Sequence, residues 1–308
     1  MHPAPSIIVF TVASGLGYGL AFFLGLGFLN PASPATGVAH VLALCLIGGG
    51  LLSSTLHLGN PQRAWRALSQ WRSSWLSREG VMALAGFLPL IASAILSIFA
   101  GDFFWPLGWL GSALCIGTVY CTAMIYASLR TVESWHTPLT PACYLLFSGA
   151  GGALLATFFG AAGGGPVRWI GVAALVLLAT AWGVKHAWRL RAQGLVSAST
   201  PETATGLGNI GRVRLLERPH MTENYLTREM GFRVARKHAR KLWIITLLAG
   251  GLLPGVLLAG VLLLAGEGGP FAAVATLLAC VSFAGGLLVE RWLFFAEARH
   301  TVMNYYGG

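Results

Sequence analysis

Eight uninterrupted apolar runs, each long enough to cross a lipid bilayer, constrain this chain more than any other feature. They lie near residues 6–29, 37–58, 80–100, 104–128, 141–160, 167–189, 243–265 and 271–295. A helix needs roughly 20 apolar residues to span the hydrocarbon core. The runs are continuous rather than alternating, which selects helices over a β-barrel. Turn-forming residues separate them: Asn30-Pro31, Gly59-Asn60-Pro61, Gly101-Asp102, Thr137-Pro138, Gly163-Gly164-Gly165-Pro166 and Gly268-Gly269-Pro270. The fifth and sixth runs, rich in Gly and Ala, are the least sharply marked. Composition agrees, because 10% of the 308 residues are charged against about 25% in a soluble domain. The expected fold is an all-α integral membrane protein, a single polytopic domain over residues 1–308 built as a bundle of eight transmembrane helices.

An even number of spans places both termini on one side. The connections sharing that side are 59–79, 129–140 and 190–242. With the adjoining helix ends they hold 19 of the 20 Lys and Arg residues; the other side has Arg168, with Asp102 and Glu267. The positive-inside rule makes the basic side, and both termini, cytoplasmic. The net charge of +10 therefore points to anionic lipid or an acidic partner docked at the membrane, and away from nucleic acid. The cysteines Cys45, Cys115, Cys121, Cys143 and Cys280 form no CxxC pair. They read as small buried residues rather than iron–sulfur ligands. The N-terminus lacks the basic start of a signal peptide, so the first run is expected to be retained. Gly15-x-Gly17-x-Gly19 has no preceding strand and reads as close helix packing, not as a dinucleotide fingerprint.

Two basic connections stand out. In 59–79, Asn60-Pro61 offers an N-cap and an N1 proline for a short helix. Trp65, Leu68, Trp71 and Trp75 would dip into the interface while Arg63, Arg66 and Arg72 face the headgroups. An ordinary aromatic and basic belt accounts for the same residues. The 190–242 connection opens with a flexible stretch, Ser197 to Gly211. Thr222 then caps an expected amphipathic helix with Tyr225, Leu226, Met230 and Val234 on one face and Arg228, Arg236, Lys237, Arg240 and Lys241 around it. That helix suits a lipid surface and a protein partner equally.

Ionisable groups near a span are functional candidates. His57 closes the second run and Glu79 opens the third, both at the cytoplasmic boundary. Such a pair at the edge of a lipid pocket suits proton-coupled redox chemistry: the His can hydrogen-bond a quinone carbonyl and the carboxylate can carry a proton. Taken singly, His57 also fits a bond to a helix-terminal carbonyl, and Glu79 a complement to the helix dipole after a Ser77 N-cap. Glu290-Arg291 reads as an internal ion pair or a snorkelling pair. His57, His186 and His300 share the cytoplasmic end while His40 is isolated opposite, which leaves one haem possible but unpatterned. A secondary transporter would carry ionisable groups at the midplane, where these runs have almost none.

His57-Leu58-Gly59-Asn60-Pro61-x-Arg63-Ala64, followed by Leu76-Ser77-x-Glu79, resembles the signature of the dimethyl sulfoxide reductase membrane-anchor family. So does Tyr126-x-Ser128-x-x-Thr131-Val132-x-x-Trp135, followed by Thr140-Pro141. The resemblance implies a subunit without haem or metal of its own in the bacterial inner membrane. It would anchor a molybdopterin catalytic subunit and a four-cluster ferredoxin-like iron–sulfur subunit, and pass electrons between them and ubiquinone or menaquinone. His57 and Glu79 match the family's quinone-site residues, and Arg63, Tyr126 and Trp135 match further family positions and are expected to contribute to the quinone site. In the dimethyl sulfoxide reductases the catalytic subunits face the periplasm. Here the His–Glu side is the basic, cytoplasmic one, so the chain resembles better the anchors of cytoplasm-facing, quinone-reducing sulfite dehydrogenases.

Overall fold

The computed structural model describes residues 3–55, 60–163, 165–197, 199–217, 222, 234–264 and 268–306. Among them there is no β-strand, and eight helices are long and apolar enough to cross a membrane. They are α1 (Pro5–Gly25), α2 (Pro34–Thr55), α3 (Trp75–Ile95, prolonged by the π-helical turn Leu96–Ala100) and α4 (Trp105–Ala127). The second half adds α5 (Leu139–Gly163), α6 (Val167–Gln193), α7 (Val234–Leu247, continued through π-helical Leu248–Leu252 into Leu253–Leu264) and α8 (Pro270–Ala296). Proline opens α1, α4 and α8, where its missing N–H has no intrahelical partner to lose. α7 starts well before its apolar run: Arg, Lys and Ala are strong helix formers, and nothing between Val234 and Trp243 breaks the turn. Most of the expected amphipathic helix, residues 223–233 with Tyr225, Leu226 and Met230, lies outside the described residues.

Consecutive helices pair as hairpins, α1–α2, α3–α4, α5–α6 and α7–α8. α1 and α5 form the centre: α1 packs on α2, α4 and α5, and α5 also carries α6 and α8, while α7 lies outermost. Small residues allow this crowding. Gly19 of α1 meets Gly152 of α5 main chain to main chain, so a Cβ on either would collide with the other helix. Gly250 and Gly286 make the equivalent contact between α7 and α8. Gly17 lies against Ala43 and Ile47 of α2, whereas Gly15 has open space beside it. The glycine run of α1 is thus a packing element, and the Gly/Ala content of α5 follows from its having neighbours on every side.

Large apolar side chains such as Leu88, Phe99 and Leu263 point outward, as a lipid-facing surface requires. Exposed Trp105, Trp109 and Trp169 ring one end and Trp65 and Trp71 the other, the aromatic belts of two interfaces. The chain is a multi-pass membrane protein. Four cysteines are buried as expected, but Cys45 faces outward. Lipid tails are as apolar as a protein core, so an apolar run does not dictate which of its residues turn inward.

Candidate functional site

The start of α3 positions the central acidic group. Ser74, in an extended conformation, is the N-cap, and its hydroxyl accepts a bond from Ser77 N at 3.5 Å. Ser77, expected to be the cap, sits inside the first turn. Its own hydroxyl donates to the Ala67 carbonyl of a 3-10 helix, Pro61–Gln70. Glu79 therefore falls in the second turn of α3, beyond the short reach of the helix dipole, which removes its reading as a plain dipole complement. It is 4% exposed. Its Oε1 accepts a hydrogen bond from the Thr122 hydroxyl of α4, and that hydroxyl also lies 3.0 Å from the Thr118 carbonyl.

The 3-10 helix clamps onto this start. Arg78 donates to the carbonyls of Trp71 (3.0 Å) and Arg72 (2.6 Å) and stacks over Trp75 at 4.3 Å. Arg66 and Arg72 stack over Trp65 and Trp71, so cation–π pairing holds the segment's charges beside its aromatic rings. Pro61 opens the helix as expected, but the Asn60 side chain makes no capping bond. Arg63 is exposed on this segment and is not part of the buried group around Glu79.

Tyr126 and Trp135 are brought together, with rings 5.4 Å apart and edge to face. Tyr144, Phe294 and Phe295 complete the cluster. Trp135 is 2% exposed, and its indole N–H donates to the Phe294 carbonyl at 3.1 Å. The turn after Tyr126 is fastened from several elements. Thr140 donates to the Trp135 carbonyl, Trp188 of α6 donates to the Thr140 hydroxyl, and Thr301 N donates to the Thr131 carbonyl. This explains why an aromatic, a Thr-Val pair and a Trp recur through the second sequence motif: they lock the α4–α5 connection to α6, α8 and the C-terminal segment.

Behind the aromatic cluster lies a buried charged group. Lys185 and Arg291 fall with the basic face by sequence, yet they are 3% and 2% exposed. Lys185 Nζ meets Glu290 Oε1 at 2.5 Å, and Arg291 Nε meets Glu290 Oε2 at 3.2 Å. Arg291 does not snorkel; its guanidinium stacks 3.8 Å above the Tyr144 ring. Arg291 thereby joins the aromatic cluster, because the Tyr144 ring stacks on that of Tyr126 at 5.8 Å. His57, with Leu58 and Gly59, lies outside the described residues, so its expected approach to Glu79 is not described.

The family described as DMSO reductase anchor subunit (DmsC) matches residues 1–192, α1 through nearly all of α6. The C subunit of the sulfite dehydrogenase of Allochromatium vinosum is 35% identical over 334 aligned positions, covering 99% of each sequence. The C chain of the anaerobic dimethyl sulfoxide reductase of Escherichia coli is 29% identical over 168 residues, 48% of this chain and 55% of that one. A second anaerobic dimethyl sulfoxide reductase chain from the same organism, YnfH, is 26% identical over 168 residues, covering 49% and 55%.

Proposed function

This chain belongs to the DMSO reductase anchor subunit family, and from that premise we propose that it is the quinone-reactive anchor of a sulfite-oxidising molybdoenzyme in the bacterial inner membrane. The observation that carries the reading is the Glu79 carboxylate, buried in an apolar bundle, bonded by Thr122 and set just inside the basic face. A carboxylic acid in that position can deliver protons to a lipid-borne oxygen. His57 hydrogen-bonds a quinone carbonyl and Glu79 protonates the reduced oxygen. Tyr126 and Trp135 wall the site, and Arg63 faces the headgroups outside it. Two electrons and two protons convert the quinone to quinol. The electrons come from a four-cluster iron–sulfur subunit and a molybdopterin subunit docked on the basic face. With that face cytoplasmic, both termini and both partners are cytoplasmic, and the similarity over 99% of the sulfite dehydrogenase anchor favours sulfite as the donor. The basic 190–242 connection serves as the contact for lipid or for those partners.

A second reading, a quinol-oxidising anchor of a dimethyl sulfoxide or related S- or N-oxide reductase, draws on the match to the Escherichia coli proteins. Replacing His57 with Ala tests the shared claim. Quinone-coupled turnover is lost while artificial-dye activity of the partner subunits persists; quinone turnover at the parental rate overturns the assignment. A twin-arginine export signal on the molybdopterin subunit, read from the neighbouring genes, would shift the choice to the second reading.

A further inference from the structure

A cavity of about 10 Å³ lies inside the bundle, lined in part by Thr122, whose hydroxyl bonds Glu79. That is room for about one water molecule. Its wall includes Thr11, Ser14, Thr122, Tyr144, Ser148 and Arg291. The hydroxyl hydrogens around it are already committed. Thr11 donates to Ile8 O at 3.1 Å, Ser14 to Phe10 O at 2.6 Å, Ser148 to Gly15 O at 2.6 Å, and Thr122 to Glu79. Each hydroxyl oxygen keeps lone pairs free, so the wall is rich in acceptors. The buried Tyr144 phenol makes no satisfied hydrogen bond among the described residues, and the Arg291 guanidinium lies 3.8 Å over its ring. A water here takes the phenol's hydrogen bond and donates to the hydroxyl oxygens, which supplies the two to four partners, roughly, that a buried water needs.

We propose that this cavity binds an ordered water that relays protons to Glu79, with Thr122 as the link and Tyr144 as the group that holds the water. The proposal rests on the quinone reading above. When the Glu79 carboxyl gives its proton to a quinone oxygen, Thr122 passes its hydroxyl proton to the carboxylate and takes one from the water. The water regains one from the aqueous phase at the basic face; Thr11 and Ser14 stand on the cavity wall. Net, one proton moves from that phase to the quinone, and Glu79, Thr122 and the water end as they began. Two such cycles match the two electrons that a quinone accepts.

Three shape-conserving variants of the intact complex test the relay. Thr122→Val removes the linking hydroxyl, Thr122→Ser keeps it, and Tyr144→Phe removes the phenol while leaving the stacked ring. Thr122→Val lowers quinone-linked kcat by about 100-fold, the low end of what positioned proton transfer contributes. KM for quinone is unchanged and the solvent deuterium isotope effect rises. Thr122→Ser restores the rate, and Tyr144→Phe shows a smaller fall of the same kind. Parental quinone-linked rates in both Thr122→Val and Tyr144→Phe, with Glu79→Gln inactive, overturn the relay and leave the quinone reading standing. Parental quinone turnover in Glu79→Gln removes both. A loss of dye-linked activity in Thr122→Val that Thr122→Ser does not restore assigns Thr122 to structure alone and also overturns the relay.

Discussion

Loss of Glu290 strikes directly at the buried charge balance of the bundle. It is fully buried and neutralises two cations, Lys185 Nζ at 2.5 Å and Arg291 Nε at 3.2 Å. Glu290→Gln leaves both cations facing a neutral amide in a medium that cannot solvate them. Removing one partner of a buried pair costs about 3–5 kcal/mol, a large share of the roughly 5–15 kcal/mol that holds a protein folded. Lys185→Met acts differently. It deletes the surplus cation, leaves Arg291 and Glu290 matched in charge, and fills the space with an apolar side chain. Its cost is about 1 kcal/mol, from the lost cation–π contact over Trp188 at 3.8 Å. Thermal unfolding of the detergent-solubilised protein reads the difference as a fall in Tm on the order of 10 °C for Glu290→Gln and about 2–4 °C for Lys185→Met. Equal losses in the two variants, or an unchanged Tm in Glu290→Gln, would refute the reasoning, because both require the charges to be hydrated rather than enclosed.

Gly19→Leu drives a side chain into the Ser148 carbonyl of α5 and destabilises by about 1–3 kcal/mol or blocks assembly; Gly15→Ala, in open space, does neither, as size-exclusion profiles of the two will show. Trp135→Phe keeps the ring stack but orphans the Phe294 carbonyl, lowering stability by about 1–3 kcal/mol in the same unfolding assay. Ser69→Cys, on the exposed 3-10 helix, is labelled by a membrane-impermeant maleimide in inverted vesicles and not in right-side-out ones; the reverse pattern would place the basic face outside.

The spans were legible because a bilayer imposes a length and an apolarity that few soluble segments meet, and all eight runs became helices, the Gly- and Ala-rich fifth and sixth included. Helix ends were read less well. Ser74 and Ser77 are both good caps by type, and the choice fell to Ser74 because the 3-10 helix offers the Ala67 carbonyl to Ser77. Glu79 was conspicuous as a carboxylate opening an apolar run. Its partner Thr122 was not, because a threonine inside a helix usually bonds the carbonyl four residues back, as Thr118, Thr157 and Thr276 do here. Nothing local marks a hydroxyl that also reaches a carboxylate on another helix. The Lys185–Glu290–Arg291 triad was hidden for a related reason. Lys185 lies near a helix end, where snorkelling to the interface is the common outcome, and only the packing of α6 against α5, with Glu290 of α8 opposite it, turns it inward.

The central claim is that this chain holds the quinone beside Glu79. Photolabelling of the intact, membrane-embedded complex with a photoreactive quinone analogue, followed by peptide mapping, tests it most directly. The account predicts label on this chain, on the peptides carrying His57 and Glu79, competed away by native quinone and reduced in Glu79→Gln. Competable label confined to a partner subunit, or to the opposite end around Trp105 and Trp169, would contradict it.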